Sequence, residues 1–294
     1  MGPTAQVGRR RADRWAMPTR PPNRRHRTPA APSLLGAAAL TLAVLLGPVA
    51  AAGAAEPPSP ADAAGTAPAT GAVIGAVSGP VTSANARYVA DAYQTLLGRP
   101  ADDAGLDYQL ARLAAGGDRS REAMAWTLAF STEGSRLEVD RAYSDLLGRA
   151  PDSAGATYWT AHLQGHGVVD LRVLLLASDE LRLRSGGGTD TGWVGALYTA
   201  VLGRGPDSPG LQYWLGRLEA GVPPALVAAS IYQSDEALGR RVQALYAEIL
   251  GRAATGSEQM GGVATIRATD ERNLRARLIA SDEAFEPYLT GVLP

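Results

Sequence analysis

The sequence has no cysteine and no lysine, and only two of its 294 residues are phenylalanine. The absence of cysteine excludes disulfide bonds and thiolate chemistry. Because phenylalanine is scarce, the ten tyrosines and five tryptophans must provide most of the aromatic burial, and their polar tips need hydrogen-bond partners. The absence of lysine supports no functional inference.

Acidic residues prevail in most of the chain, although the formal net charge is only −1. Residues 1–55 contain eight arginines and one acidic residue, Asp13, which gives this segment a charge of +7. Subtracting that charge from the total leaves about −8 for the rest of the chain. Nucleic acids and anionic membrane surfaces repel such a protein, so we expect no nucleic-acid partner.

The first 86 residues lack the hydrophobic pattern of a packed core. An arginine-rich arm, residues 9–27, precedes an apolar run at residues 33–55 that ends in small residues. This order is typical of a secretory signal peptide, so we predict a signal peptide at residues 1–55 and secretion of the protein. The alternative is an uncleaved membrane anchor, because the run approaches the ~20 residues that span a bilayer. Residues 56–86 are rich in alanine, proline and glycine, which predicts a disordered linker.

One seven-residue phrase occurs four times after this linker. It reads YQTLLGR from Tyr93, YSDLLGR from Tyr143, YTAVLGR from Tyr198 and YAEILGR from Tyr246. Copies separated by 48 to 55 residues indicate stacked supersecondary units. Apolar spacing and helix-breaking residues predict three helices in each unit. The sequence thus predicts an all-α domain at residues 87–294, a tandem array of about four three-helix repeat units.

The recurring residues are typical of packing and of helix ends. The glycine of each phrase can adopt the left-handed conformation that ends the first helix. The Asp or Thr three residues after the arginine can cap the second helix, and a Ser-x-Glu segment follows the third. We expect the arginine to contact backbone carbonyls or an acid such as Glu133, Glu180 or Glu236. The predicted structural residues are Tyr93, Gly98, Arg99, Asp102, Gly105, Tyr143, Gly148, Arg149, Asp152, Gly155, Trp159, Tyr198, Gly203, Arg204, Asp207, Gly210, Trp214, Tyr246, Gly251, Arg252 and Thr255.

Two further patterns concern the third helix and the third unit. Positions seven and three before each Ser-x-Glu serine are apolar in all four units, which predicts a buried helix face. The spacing from that serine to the next tyrosine is 12 residues at two junctions and 20 at the junction that contains residues 185–188. The longer spacing predicts that this glycine-rich stretch is a surface insertion in the third unit.

The acidic capping positions invite a calcium hypothesis. Asp102, Asp152 and Asp207 occupy the same position after the arginine in three units. In the fourth unit Thr255 and Glu258 have the spacing of a capping box, which retains the capping chemistry without the aspartate. Calcium needs six to eight oxygen ligands, and each loop offers few. Helix capping is therefore the preferred interpretation, and no metal site or cofactor is predicted.

Histidine and serine residues suggest other chemistry but have simpler explanations. His162 and His166 have the i, i+4 spacing of zinc ligands, yet two ligands alone make a poor site. A cationic side chain near the end of a helix is the better interpretation. No recurring histidine accompanies the Ser-x-Glu serines to activate them, so no catalytic residue is predicted and the protein is not expected to be an enzyme.

Two aromatic pairs are the best candidates for a carbohydrate-stacking surface. They are Tyr158-Trp159 and Tyr213-Trp214. Because adjacent helical residues point in different directions, at most one ring of each pair is expected to face solvent. Tryptophan at this spacing is expected in the core.

The segment LLGRAPDSAGATYW at residues 146–159 has a close counterpart at residues 201–214, and Ser-Asp-Glu follows each arginine by about thirty residues. With these motifs the chain resembles the bacterial domain of unknown function numbered 4214, in three good copies and a degenerate fourth. The seven-residue phrase is also similar, more faintly, to the linker domains of phycobilisomes, which are helical assembly modules. The resemblance implies a small helical module of exported or surface proteins that has no assigned active site.

We therefore expect a secreted, extracellular helical repeat protein that acts as a non-catalytic binding or assembly module at the cell surface or outside the cell. Its expected partner is a protein or glycan there, and contact with a membrane is expected only through an uncleaved signal segment. One alternative is a carbohydrate- or peptidoglycan-active enzyme that uses acid pairs between units. The other is a calcium-dependent adhesion module.

Overall fold

The computed structural model describes residues 80–116 and 118–291, and within these ranges the regular elements are α-helices without any strand. The all-α fold predicted from the repeat is confirmed. The fourteen helices in the described ranges are α1 (Pro80–Leu97), α2 (Asp103–Gly116), α3 (Asp118–Phe130), α4 (Thr132–Leu147), α5 (Ser153–His162), α6 (Val168–Leu176), α7 (Asp179–Gly186), α8 (Asp190–Leu202), α9 (Ser208–Glu219), α10 (Pro224–Tyr232), α11 (Asp235–Leu250), α12 (Gly256–Ala268), α13 (Glu271–Ala280) and α14 (Asp282–Thr290). None of these described helices has the length and apolar character needed to span a membrane.

The helical domain begins earlier than the sequence indicates. Helix α1 starts at Pro80, whereas composition predicts a linker as far as residue 86. Alanine is too small to indicate a packed core from composition, but it is the residue with the highest helix propensity. In the structure Ala84 is buried against the core. The predicted signal peptide at residues 1–55 and the linker at residues 56–79 lie outside the described residues.

The first, second and fourth units consist of three helices that begin and end at the expected signals, and the third unit has four because its first helix is divided. The first helix ends at the glycine of the seven-residue phrase, and all four glycines have a φ between 60° and 72°. The second helix begins after its capping residue, and the third helix leads to the Ser-x-Glu serine. That serine caps the helix that follows it, so each cap joins one unit to the next. The units are α1–α3, α4–α6, α7–α10 and α11–α13, and α14 follows the last.

The third unit is longer because its first helix is divided in two. Gly187 and Gly188 have φ values of 58° and 76°, a left-handed conformation that ends α7. The Thr189 side chain accepts a hydrogen bond from the amide three residues later, which starts α8. Trp193 anchors the new helix, because its indole nitrogen donates to a carbonyl of α6 at 2.9 Å. The predicted insertion is thus a break between two helices, and Gly187 and Gly188 are exposed.

The third helices carry the buried face that the sequence predicts. The two apolar positions before each Ser-x-Glu serine are buried in all four units. These residues are Met124, Leu128, Leu171, Leu175, Val227, Ile231, Leu274 and Leu278. The third helices also pack against each other in pairs, α3 with α13 and α6 with α10.

The repeat array closes on itself, because α13 and α14 pack against α3 and α1. The Tyr88 hydroxyl donates to a carbonyl of α13 at 3.1 Å, and the Tyr88 ring meets the Phe285 ring edge-on at 5.1 Å. Arg121 of α3 lies over the Phe285 ring, and Arg272 of α13 lies over the Phe130 ring. The first and fourth units are therefore in direct contact.

One buried ion pair links the fourth unit to the second. Asp270 and Arg272, at the start of α13, are almost fully buried, with Nη2 and Oδ2 3.1 Å apart. Arg272 also donates to the carbonyls of Leu163 and His166, and Asp270 accepts from the Val168 amide. A buried ion pair is tolerated only when its remaining polar atoms find partners, and the loop between α5 and α6 supplies them.

Candidate functional site

The arginine of the seven-residue phrase binds the glutamate of the Ser-x-Glu segment in all four units. Arg149 donates from Nε and Nη2 to the two carboxylate oxygens of Glu180, both at 2.6 Å. Arg204 contacts Glu236 in the same way, at 2.8 Å for both bonds. The other two pairs of this kind are Arg99 with Glu133 and Arg252 with Glu283. The predicted pairing is therefore present, and it joins the start of one unit to the start of the next.

The tyrosine of the same phrase completes this junction. In each unit the guanidinium carbon lies 5.2–5.5 Å from the centroid of that ring, within range of a cation–π contact. The arginine also donates to the carbonyl of the residue that follows it. The hydrogen bonds from arginine hold the pKa of Glu180, Glu236 and Glu283 below its usual range, so these acids are ionised at neutral pH.

The acidic positions that suggested calcium act as helix caps. Asp102, Asp152 and Asp207 each accept a hydrogen bond from the amide three residues later, at 2.7–2.8 Å. In the fourth unit Thr255 and Glu258 form the complete capping box. Within residues 80–116 and 118–291, no three histidine, aspartate or glutamate side chains are arranged to hold a metal ion.

A tyrosine hydroxyl explains the glycine that follows each of the three aspartate caps. A Cβ atom on Gly105 would lie 2.7 Å from the Tyr93 hydroxyl oxygen, and one on Gly155 would lie 3.0 Å from that of Tyr143. The third unit has the same close approach. Glycine therefore leaves room for the tyrosine of the preceding helix. The fourth unit has Glu258 at this position.

The Ser-x-Glu serines are fully engaged in capping. Each hydroxyl donates to the carbonyl three residues earlier at 2.6–2.9 Å and accepts from the amide three residues later at 3.0–3.2 Å. The serines are Ser131, Ser178, Ser234 and Ser281. This geometry uses each hydroxyl to begin the next helix.

One largely buried acid, Glu138, lies among arginines in the interior. Glu138 accepts a hydrogen bond from Arg141 at 3.0 Å and lies 4.0 Å from Arg172. Burial favours its neutral form, but Arg275, Arg172 and Arg141 together hold the pKa of Glu138 below its usual value. A catalytic acid needs a raised pKa, so this environment favours a structural carboxylate.

The Tyr-Trp pairs are oriented with tryptophan inward and tyrosine outward. Trp159 is 1% exposed, whereas Tyr158 is 40% exposed. In the third unit the Trp214 indole donates to the Tyr198 hydroxyl at 3.0 Å, and Tyr213 is 57% exposed. The expectation that at most one ring of each pair faces solvent is confirmed.

The first unit has an equivalent exposed tyrosine that the sequence analysis does not single out. Tyr108 is 59% exposed, and the following residue, Gln109, replaces tryptophan and is buried. The signal that identifies Tyr108 is its position six residues after the capping aspartate, which is also the position of Tyr158 and Tyr213.

Each outward tyrosine has a basic residue four positions later. The guanidinium carbon of Arg112 lies 5.6 Å from the Tyr108 centroid. The His162 ring stacks beside the Tyr158 ring, with centroids 6.0 Å apart and an angle of 15° between the planes. Arg217 has this position in the third unit.

The histidines of the zinc hypothesis form a stack. His162 and His166 have ring centroids 4.2 Å apart and nearly parallel planes. His162 Nε2 lies 3.2 Å from Asp170, and His166 Nδ1 lies 3.0 Å from the His162 carbonyl oxygen. The two rings therefore have partners from the protein and do not converge on a common point with a third ligand.

Two segments of the chain, residues 79–137 and 172–241, match the family model described as Domain of unknown function (DUF4214). The resemblance to this family that the motifs predict is confirmed for these two segments. Each DUF4214 segment contains one complete junction, which in the first segment consists of Tyr93, Arg99 and Glu133. No curated protein and no solved structure matches the chain.

Proposed function

We propose that this protein is a secreted helical scaffold that acts as a non-catalytic binding or assembly module at the cell surface or outside the cell. Support for secretion comes from the arginine-rich arm and apolar run at residues 1–55. Support for a non-catalytic role comes from the recurring polar residues, which bind each other at every junction. The four arginine–glutamate pairs are the observation that carries the proposal.

The direction of the exposed side chains supports binding. The second helices of three units present tyrosines to solvent, while Gln109 and Trp159 on the same helices are buried and Trp214 is partly buried against the core. Exposed aromatic side chains offer a large contact area at a low cost in conformational entropy. A closed array would hold these helices in fixed positions, which favours a surface that binds without rearrangement.

Fractionation of the producing cells tests the proposal. The chain without its signal peptide is expected in the medium or with the cell envelope, and the purified mature chain is expected to sediment with isolated envelopes. Retention of the chain inside the cell, or failure to sediment, would contradict the proposal.

The same assay separates the alternatives. Release of soluble sugars or peptides from the envelopes by the purified chain would indicate an enzyme. Loss of sedimentation and a lower melting temperature in EDTA would indicate a calcium-dependent adhesion module. The proposal predicts no release of product and no effect of the chelator.

A further inference from the structure

Tyr108, Tyr158 and Tyr213 form a recurring surface feature that the fold does not require. We propose that each of these tyrosines, together with the basic residue four positions later, is one of three equivalent binding sites for a neutral polysaccharide. This inference rests on the proposed binding function and names its ligand class and its residues.

Packing and helix stability do not account for the tyrosines. Their side chains are 40–59% exposed, and tyrosine is a weaker helix former than most residues found at exposed helical positions. The residue before each tyrosine differs from unit to unit, as Asp107, Thr157 and Gln212. Exposed positions on these helices have thus diverged between units, whereas the exposed aromatic position has not.

The basic residue is the second constant feature of these exposed helix faces. It is Arg112 in the first unit, His162 in the second and Arg217 in the third. In the first unit the Arg112 guanidinium carbon lies over the Tyr108 ring, 5.6 Å from its centroid, and in the second the His162 ring is stacked on the Tyr158 ring with centroids 6.0 Å apart. The first two pairs therefore present an exposed aromatic ring with a nitrogen-bearing side chain packed on one face, which leaves the other face of the ring for a ligand.

This pair matches the chemistry of a sugar ring. A pyranose has an apolar face of C–H groups that can lie on an aromatic ring, and hydroxyl groups at its rim that accept hydrogen bonds. The charge of about −8 on the chain after residue 55 opposes binding of an acidic polymer. The negative charge of the chain therefore favours a neutral polysaccharide over an acidic one.

Three copies on one scaffold compensate for a weak single site. One stacked sugar with one or two hydrogen bonds gives low affinity, but a polymer that engages several sites gains avidity from a high effective concentration. A polysaccharide repeats the same sugar along its length, so equivalent sites are the arrangement that exploits it.

The fourth unit lacks both residues of the pair. It has Gly261 where the other units have tyrosine and Thr265 where they have the basic residue. A Cβ atom on Gly261 would have no neighbour within 4 Å, so a side chain can begin there without a clash at its first atom. A fourth site can therefore be built on the existing helix.

The test is sedimentation of the full chain with envelopes of the producing cells after three treatments. A neutral glycan ligand predicts that periodate oxidation of the envelopes abolishes binding, that protease treatment does not, and that 0.5 M salt has little effect because no ion pairs hold the polymer. Protease-sensitive binding would indicate a protein ligand, and binding lost in salt would indicate an acidic polymer. Either result overturns this inference while the proposed function stands.

Variants of the full chain assign the sites. Replacing all three tyrosines by alanine is expected to weaken binding by on the order of 100-fold, and each single replacement by about tenfold. Leu183→Ala, which removes another exposed apolar side chain, is the matched control and should bind normally. Circular dichroism of each variant confirms that it is folded. Normal binding by the folded triple variant would overturn the proposal.

A gain of binding is the sharper measurement, because loss of fold cannot produce it. Gly261→Tyr combined with Thr265→Arg adds the missing pair to α12, and it should tighten binding by about tenfold. The same change in the triple variant should restore part of the lost binding. No gain in either background would contradict the assignment of tyrosine and base as the site.

Discussion

The second helix of the fourth unit differs from those of the first three, although it is attached by the same junction. Units one to three have a cap, a glycine against the tyrosine hydroxyl, and an inward Trp or Gln beside an outward Tyr. The fourth unit has Glu258 in place of that glycine, and Gly261 and Gly262 in place of the last two residues. The Arg252–Glu283 pair and the Thr255 cap remain. The ionic junction therefore does not depend on the aromatic residues of the second helix.

The space left by the missing tryptophan is occupied by other helices. A Cβ atom on Gly262 would lie 2.7 Å from a methyl group of Val242 and 3.2 Å from one of Leu274. Helices α11 and α13 thus approach α12 more closely than a tryptophan would allow. The packing around the second helix therefore differs between units, because neighbouring helices move in where a large side chain is missing. The arginine–glutamate pair at the junction is the same in all four units.

The largest effect on stability is expected when Trp159 of the second unit is replaced by a small residue, as at Gly262 in the fourth unit. Trp159→Ala should lower the free energy of unfolding by about 3–5 kcal/mol, because the neighbours of this buried ring cannot collapse into the space. Urea denaturation measures the difference. Tyr158→Ala is the control, with an expected loss within about 0.5 kcal/mol because the side chain is exposed. Equal losses for the two variants would show that the orientation of the pair is wrong.

A matched pair of glycine substitutions tests the close approach of tyrosine. Gly105→Ala places a methyl group against the Tyr93 hydroxyl and should cost about 1–3 kcal/mol of stability. Gly261→Ala, in the open position of α12, should stabilise the protein by about 0.5–1 kcal/mol through helix propensity. Urea denaturation measures the free energy of unfolding of both variants. A change of the same sign in the two variants would contradict the prediction.

Local sequence signals predicted the units and their junctions well. The caps, the terminal glycines and the arginine–glutamate pairs depend on residues a few positions apart or on motifs that recur, as with Arg149 and Glu180. The start of α1 at Pro80 was not predictable from composition, since alanine serves equally in a linker and in a helix. The sequence predicted that at most one ring of the Tyr158-Trp159 pair faces solvent. It could not fix the direction of the Tyr158 side chain, because sequence spacing does not determine the rotation of a helix against its neighbours.

Closure of the array was not predictable, for a different physical reason. It depends on residues that occur once, such as Tyr88, Phe285 and Arg121, and the contacts join positions far apart in the sequence. No periodic pattern marks them. The buried pair of Asp270 and Arg272 is equally unmarked, because its partners lie in a loop more than 100 residues earlier.

The smallest effect concerns Glu258, the acid that the fourth unit has where the second helices of the other units have glycine. Hydrogen bonds from Arg252 and from the Thr255 backbone lower the pKa of Glu258 from 4.5 to about 2. Because the folded state holds the carboxylate ionised, its contribution to stability is complete above pH 4.5, where the unfolded chain is also ionised. That contribution is lost as the pH falls from 4.5 towards 2.

Thermal melts between pH 7 and pH 2 measure this contribution. Glu258→Gln should lower the melting temperature at pH 7 and should show a smaller further decrease between pH 4.5 and pH 2 than the original chain. Glu219→Gln, a change at an exposed position on α9, is the control and should leave the curve unaltered. If the original chain and the Glu258→Gln variant lose the same amount on acidification, the carboxylate does not stabilise the junction. The fourth unit would then keep its second helix in place through α11 and α13 alone, and the capping box would be an incidental feature of the sequence.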